Sequence, residues 1–343
     1  MSDVTLSTAA KVDASAKRKA NPKLAVGYAF GEVGCGRIIS DWSMVILLLV
    51  LMVFFSIMSP AFLTPLNITN ILVQNVHVAV CSTAVFIIMV SGGCDLSIGY
   101  QMSVAAVLCT KLLANGTVSV PVAVILAIVV CSILGSFNGL MTLVLKSNAM
   151  IVTLGTMAIF QGISYLISGS KTFHNLPKSF MYIGQGKIGV IPLNVIIMAV
   201  LVAIAIFVLT KTSIGRDVYA AGDNPEAARL AGLDVAKIKV LAFTVAGILV
   251  GISAVLLASR SGSADSSTGV GIEFTGITAC VLSGVALKGG EGTLWKAIVA
   301  VYVLGVLANG MQLINLGTYP QYIAKGLIML FSLYLSNREQ KSI

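Results

Sequence analysis

Charge is what this chain most lacks. Asp, Glu, Lys and Arg make up 10% of its 343 residues, where a soluble domain carries roughly a quarter. The runs 44–57 and 195–209 hold no charged residue at all. With 57% hydrophobic residues and a mean hydropathy of +0.98, such a chain cannot present a water-facing surface around a single core. A bilayer core needs about 20 mostly apolar residues per helix, and segments of that kind recur from end to end. The composition therefore predicts an all-α, polytopic membrane protein.

Other scarcities exclude chemistry. Histidine occurs twice, at His77 and His174, and each stands alone. Six cysteines show neither CxxC nor Cys/His spacing, which argues against a metal or redox centre and for free, buried thiols. No GxxxxGK[ST] occurs; Gly184-Gln185-Gly186-Lys187-Ile188 lacks both the spacing and the hydroxyl. The chain thus supplies no nucleotide site of its own, and no Ser/His/Asp arrangement, metal cluster or pair of intramembrane carboxylates is visible. An enzyme is not expected, nor any cofactor on this chain. The formal charge of +9 raises nucleic acid as a partner. The basic residues, however, are scattered over short segments between apolar runs, the pattern of the positive-inside rule.

Along the chain, residues 1–37 are rich in Ala, Ser and Lys and too polar to bury a core, so a disordered cytoplasmic tail is expected. A permease-like membrane domain, 38–336, follows, then a short cytoplasmic tail, 337–343. Ten helices are predicted at about 40–58, 70–91, 97–114, 119–145, 149–168, 189–210, 239–259, 272–288, 293–315 and 320–336. Gly92-Gly93, Lys146-Ser147-Asn148 and Lys288-Gly289-Gly290 are among the breaks. Lys and Arg concentrate on one side when both termini lie in the cytoplasm, which places the protein in a bacterial inner membrane with 211–238 inside and 169–190 outside. Asn67 reads as a helix cap and Asn115-Gly116 as a turn.

A faint repeat links the halves. Gly135-Ser-Phe-Asn138-Gly139 echoes Gly305 to Asn309-Gly310, and Asp95-Leu-Ser echoes Glu273-Phe-Thr. The shift of five helices would make the halves inverted, a common transporter plan; chance similarity between Gly-rich apolar helices is the alternative.

The inner segment is the most informative. Asn224 suits a helix N-cap and Pro225 the first helical position. Glu226 complements the helix dipole, and Gly232 permits a left-handed end after Ala227, Ala228 and Arg229. This predicts about two turns of helix off the membrane, either a plain connector or an element that enters a groove on a partner. Glu226-Ala227-Ala228-x-x-x-Gly232 resembles the EAA-loop signature of ABC-importer permeases. The stretches Gly215-Arg216-x-x-Tyr219-Ala220-x-Gly222, Gly92-Gly93-Cys94-Asp95-Leu96-Ser97-Ile98-Gly99, Gly289-Gly290-Glu291-Gly292-Thr293, Asn309-Gly310 and Lys325-Gly326 are similar, in order, to the ribose/xylose/galactoside branch of that family. Cys94, Tyr100, Asp223 and Glu291 depart from its usual residues.

The resemblance implies the membrane-spanning subunit of a binding-protein-dependent sugar importer. A separate cytoplasmic ABC ATPase would carry ATP and Mg, an external sugar-binding protein would deliver the solute, and a second permease copy, identical or related, would complete the path. Asn224, Pro225, Glu226, Ala227, Ala228, Arg229 and Gly232 would then form the helix that couples to the ATPase. Pathway candidates are Asp95, Ser97, Tyr100, Asn138, Glu273, Asn309 and Lys325. A charge at a helix centre in the bilayer costs about 2.5–3.5 kcal/mol, so each needs a reason. Asp95 and Glu273 are either N-caps or polar contacts in the path; Lys325 either snorkels outward or lines a cavity facing the binding protein. The rival class is an ion-coupled secondary transporter, which would place a carboxylate or unwound-helix ion site near the midplane.

Overall fold

The computed structural model describes the backbone of residues 35–341 and the side chains of 42–332 and 334. Most of the 1–37 tail lies outside the described residues, as do the last two residues of the chain. Residues up to Ile46 and from Leu47 onward form two separate units, and the second holds the helical bundle.

Among the described residues there are thirteen helices. In chain order they are α1 (Cys35–Met58), α2 (Pro65–Val90), α3 (Ile98–Ala114), α4 (Val120–Val144), α5 (Ala149–Ser168), α6 (Lys178–Gln185), α7 (Leu193–Lys211), α8 (Ser213–Asp223), α9 (Pro225–Leu230), α10 (Val235–Ser261), α11 (Ile272–Leu282), α12 (Leu294–Leu313) and α13 (Thr318–Lys341). A two-residue hairpin, β1 (Lys187–Ile188) with β2 (Ile191–Pro192), links α6 to α7. Every apolar run read from the sequence coincides with a helix. Six of these (α2, α4, α5, α7, α10 and α12) are long and apolar enough to cross a membrane, with Trp42–Met58, α3 and α11 as shorter apolar helices.

The architecture is inside out relative to a soluble bundle. α7, the most apolar of the six, has 28% of its most apolar stretch buried, whereas α2 is less apolar and has 78% buried. All residues from Ala79 to Val90 of α2 are buried, enclosed by α7, α10, α11 and α12. α10 and α4 pack through glycine on both helices. A Cβ at Gly135 would overlap the Phe243 carbonyl, one at Gly247 would overlap the Cys131 carbonyl, and one at Gly251 would come within 2.7 Å of Ile128 Cα. Small residues that let backbones approach are the principal means of joining helices where lipid removes the hydrophobic driving force.

α11 is shorter than the expected 272–288. Its last carbonyls are taken by Gly284 N–H to Val281 O at 3.0 Å and Val285 N–H to Cys280 O at 3.0 Å, with Gly284 at φ +86°. This is a Schellman stop, hidden in the sequence because 283–287 stays mostly apolar. Eleven residues rise about 16 Å, half of a hydrocarbon core of about 30 Å. α3 likewise starts only after the irregular stretch 91–97. The first turns of these two helices meet: Gly99 of α3 lies against the Glu273 carboxylate of α11.

Candidate functional site

Residues 212–234 fold as expected at their centre and beyond expectation around it. Asn224 Oδ1 accepts from Ala227 N–H at 3.0 Å, and Pro225 and Glu226 fill the first turn of α9. Gly232 stands at φ +88°. Its N–H reaches Arg229 O at 2.9 Å and Leu233 N–H reaches Ala228 O at 3.0 Å, a complete Schellman cap. Ala228 is buried against Ala221, Leu233, Val235 and Ile238, while Leu230 is 91% exposed. One side of α9 is thus anchored, and a large apolar side chain stands free on the other.

The preceding helix α8 is missing from the sequence reading. Its signal was Thr212, whose hydroxyl accepts from Gly215 N–H at 3.3 Å; Gly215 and Gly222 masked it by resembling turn residues. These glycines are contact points. A Cβ at Gly222 would overlap the Val90 carbonyl and lie 2.8 Å from Gly290 N. A Cβ at Gly289 would sit 2.6 Å from Gly92 Cα, and one at Gly290 would overlap Asp223. Gly290 N–H also donates to Val90 O at 2.9 Å. The end of α8, the end of α2 and the α11–α12 connection therefore meet backbone to backbone. Tyr219 fastens the junction, its hydroxyl donating to Gly292 O at 3.0 Å; burial pushes that hydroxyl's pKa up, which keeps it a donor.

Asp95, Ser97 and Asn138 come together, but Asp95 is not an N-cap. Ser97 occupies that position. Asp95 Oδ1 accepts from Ser97 N–H at 2.8 Å and Ser97 Oγ at 2.7 Å, and its Oδ2 from Gln101 Nε2 at 2.8 Å and Asn138 Nδ2 at 3.0 Å. Asn138 also donates to Ser97 Oγ at 2.7 Å. All four residues are buried, and Asn138 Oδ1 has no partner among the described residues. Thr153 of α5 joins by accepting from Leu96 N–H at 3.1 Å. Gln101 escaped the sequence reading, although its i+4 spacing from Ser97 puts both on one helical face.

Glu273 turns on its own helix end: both carboxylate oxygens accept from Gly271 N–H, at 3.1 and 2.9 Å. It is 1% exposed, and a Cβ at Gly99 would overlap its Oε2. The two carboxylates that the faint repeat relates thus both lie beside the first turn of α3. Tyr100 packs with Val104 and Phe160. Asn309 pairs with Asn67, which lies inside α2; the cap there is Thr64. Lys325 borders a cavity formed by α2, α11, α12 and α13, whose lining includes none of the other six pathway candidates.

A family model described as branched-chain amino acid transport system / permease component matches residues 67–333. The chain is similar to the L-arabinose transport system permease protein AraH of Escherichia coli (strain K12), at 33% identity over 307 residues, 90% of this chain and 93% of that one. It is similar to the ribose import permease protein RbsC of Haemophilus influenzae, 30% identical over 88% of this chain and 94% of that one. Similarity extends to the galactose/methyl galactoside import permease protein MglC of E. coli (strain K12), 33% identical over 85% and 92%. No solved structure matches the chain significantly.

Proposed function

From the premise that the chain belongs to the family of branched-chain amino acid transport system permease components, we propose that it is the membrane-spanning subunit of an ATP-driven importer for a monosaccharide or sugar-like solute. The solute class is drawn from relatives named for L-arabinose, ribose and galactose, which align over 85–90% of this chain. Ten crossings in two inverted sets of five, both termini in the cytoplasm and a bacterial inner-membrane location complete the reading. The partners are a cytoplasmic ATPase that binds ATP and Mg, an external binding protein and a second permease copy.

One observation carries the mechanism. α9 is anchored through Ala228, presents Leu230 outward, and follows a helix whose end touches α2 and the α11–α12 connection without intervening side chains. A push on α9 by a closing ATPase would pass along α8 into Gly222. From there it reaches Val90 and Gly92 on one side and Gly289 and Gly290 on the other. Gly92 leads in three residues to Asp95 and in six to the start of α3; Gly289 follows α11, whose other end holds Glu273. The two broken helices are thereby coupled to one cytoplasmic lever, and their displacement would open or close the path.

Tagged purification from the native host in mild detergent, followed by mass spectrometry, tests this reading. Recovery of an ATPase with a nucleotide-binding P-loop, and sugar uptake that survives collapse of the ion gradient but not ATP depletion, is the expected result. Recovery of the chain alone, with uptake that follows the ion gradient, would establish an ion-coupled carrier instead.

A further inference from the structure

The cavity beside Lys325 is a polar site inside an apolar bundle, apart from both the α8–α9 lever and the Asp95 cluster. It measures about 270 Å³ and is walled by Asn75 and His77 of α2, Thr275 of α11, Leu304 of α12, and Tyr322 and Lys325 of α13, among others. Its polar groups are presented but not spent. Asn75 Nδ2 donates to Ile71 O at 2.7 Å, and its amide lies on Gly305, where a Cβ would overlap it. That fixes the side chain, and its Oδ1 takes no partner among the described residues. His77 is 8% exposed and its Nδ1 is buried without a hydrogen bond among the described residues. Neither the Lys325 ammonium nor the Tyr322 hydroxyl has a hydrogen-bond or ion-pair partner among the described residues. Glu273, next in sequence to the lining residue Ile272, is committed to Gly271 N–H, and no carboxylate lines the wall.

Of the four unspent polar groups around this hollow, the His77 Nδ1 is the one fully buried. An unpaired buried donor or acceptor costs about 1–3 kcal/mol, and an intramembrane lysine is by default a functional residue. The volume falls just below the roughly 300–1,000 Å³ that hold drug-sized ligands, which suits a smaller solute. A carbonyl acceptor, an imidazole, a phenol and an ammonium match hydroxyl groups, each of which donates and accepts. Val78, Leu304 and Ala308 offer apolar contact to C–H faces. A cationic solute is disfavoured by Lys325. Tyr322, 65% exposed, stands at the mouth.

We propose that this cavity is a transit site for a neutral polyhydroxylated solute of monosaccharide size, with Asn75, His77, Tyr322 and Lys325 exchanging hydrogen bonds with its hydroxyls. The assignment rests on the importer reading and narrows it to a place: the groove between α2 and α13, not the Asp95 knot, whose groups, Asn138 Oδ1 apart, are already bonded to one another.

The test uses the native host, with Asn75→Ala, Lys325→Gln and Ala308→Cys introduced singly at the chromosomal locus. Uptake of radiolabelled L-arabinose, D-ribose and D-galactose is measured alongside the membrane level of the tagged chain. Asn75→Ala and Lys325→Gln are expected to lower the maximal uptake rate about tenfold at unchanged membrane level. Ala308→Cys gives a reading independent of turnover. It should react with a small hydrophilic thiol reagent beyond the wild-type background, and the transported sugar in excess should slow that reaction. If wild-type cells import one of the sugars while both polar variants stay within about twofold of them, the transit site is wrong and the importer reading stands. Labelling at position 308 that no sugar slows would also overturn it, and would mark the cavity as a water-filled hollow or a subunit contact. If wild-type cells import none of the three sugars, the sugar reading and the site fall together.

Discussion

Asn67 on α2 and Asn309 on α12 face each other as a reciprocal amide pair, each Nδ2 donating to the other's Oδ1 at 2.9 Å. Asn67 Nδ2 also reaches the Phe62 carbonyl at 2.8 Å. The pair clamps the start of α2 to the far half of α12 beside the apolar cluster of Phe55, Phe62, Ile71 and Val306. Asn309→Ala leaves the Asn67 amide half satisfied, at a cost of about 1–3 kcal/mol. The melting temperature in detergent is expected to fall for each single alanine variant. The double variant Asn67→Ala with Asn309→Ala should lose less than the two single losses added together. Strict additivity would show that the pair contributes no coupling.

Asp95 accepts four hydrogen bonds in a buried setting, so Asp95→Asn turns one acceptor into a donor facing donors. At about 1–3 kcal/mol per stranded group, the variant should be less stable than wild type and lower in membrane abundance. Gln101→Glu should be comparably harmful, since it brings a second carboxylate to the first. A melting temperature in either variant equal to that of wild type would mean the knot is not a structural unit.

Two glycines of the same segment are predicted to behave oppositely to their conformations. Gly232 has a positive φ but open space around its Cβ position, so Gly232→Ala costs only the left-handed strain, about 1–2 kcal/mol. Gly222 has no such strain, yet a Cβ there would overlap Val90 O. Gly222→Ala is therefore expected to abolish uptake or expression, while Gly232→Ala retains both in part. Full uptake in Gly222→Ala would remove the junction from the coupling route.

Asp234 caps α10, accepting from Lys237 N–H at 3.1 Å and facing the Lys237 ammonium at 3.0 Å. Those hydrogen bonds hold its carboxyl below the usual range. A depressed folded value means the stabilisation is present above the unfolded pKa, about 3.9, and is lost as pH falls through the folded one. The difference in melting temperature between wild type and Asp234→Ala should be positive at neutral pH and shrink as pH drops below the unfolded value and through the lower folded one. A difference constant over that range would assign the effect to helix propensity alone.

The apolar runs made the long helices legible, because lipid enforces length and apolarity together. The α9 cap was legible for a different reason: Asn224, Pro225 and Gly232 each act on their own backbone within a few residues. What escaped needed a neighbour distant in sequence. Asn67 looks like a cap until Asn309, 242 residues away, supplies its partner. Gly222 looks like a turn until Val90 and Gly290 explain the missing side chain. Glu273 and Lys325 are equally isolated charges on paper. Only packing separates the sealed carboxylate, folded onto Gly271, from the ammonium that borders a hollow. α8 was hidden by its glycines, and the early end of α11 by apolar residues that continue past the Gly284 stop.

The burial of α2 also sets where the protein can be rewritten. Ile125 and Ile133 on α4, Ile204 and Phe207 on α7, and Leu327 and Leu330 on α13 are all exposed in the single chain, and wherever they face lipid they answer only to the oiliness of their surroundings. Polar replacements there should yield a water-soluble version that keeps its interior. The same exchange at Val80, Val85 or Ile88 cannot, since those side chains answer to volume and never to the solvent. A redesign that ranked helices by apolarity would spare α7 before α2, the reverse of what the fold requires.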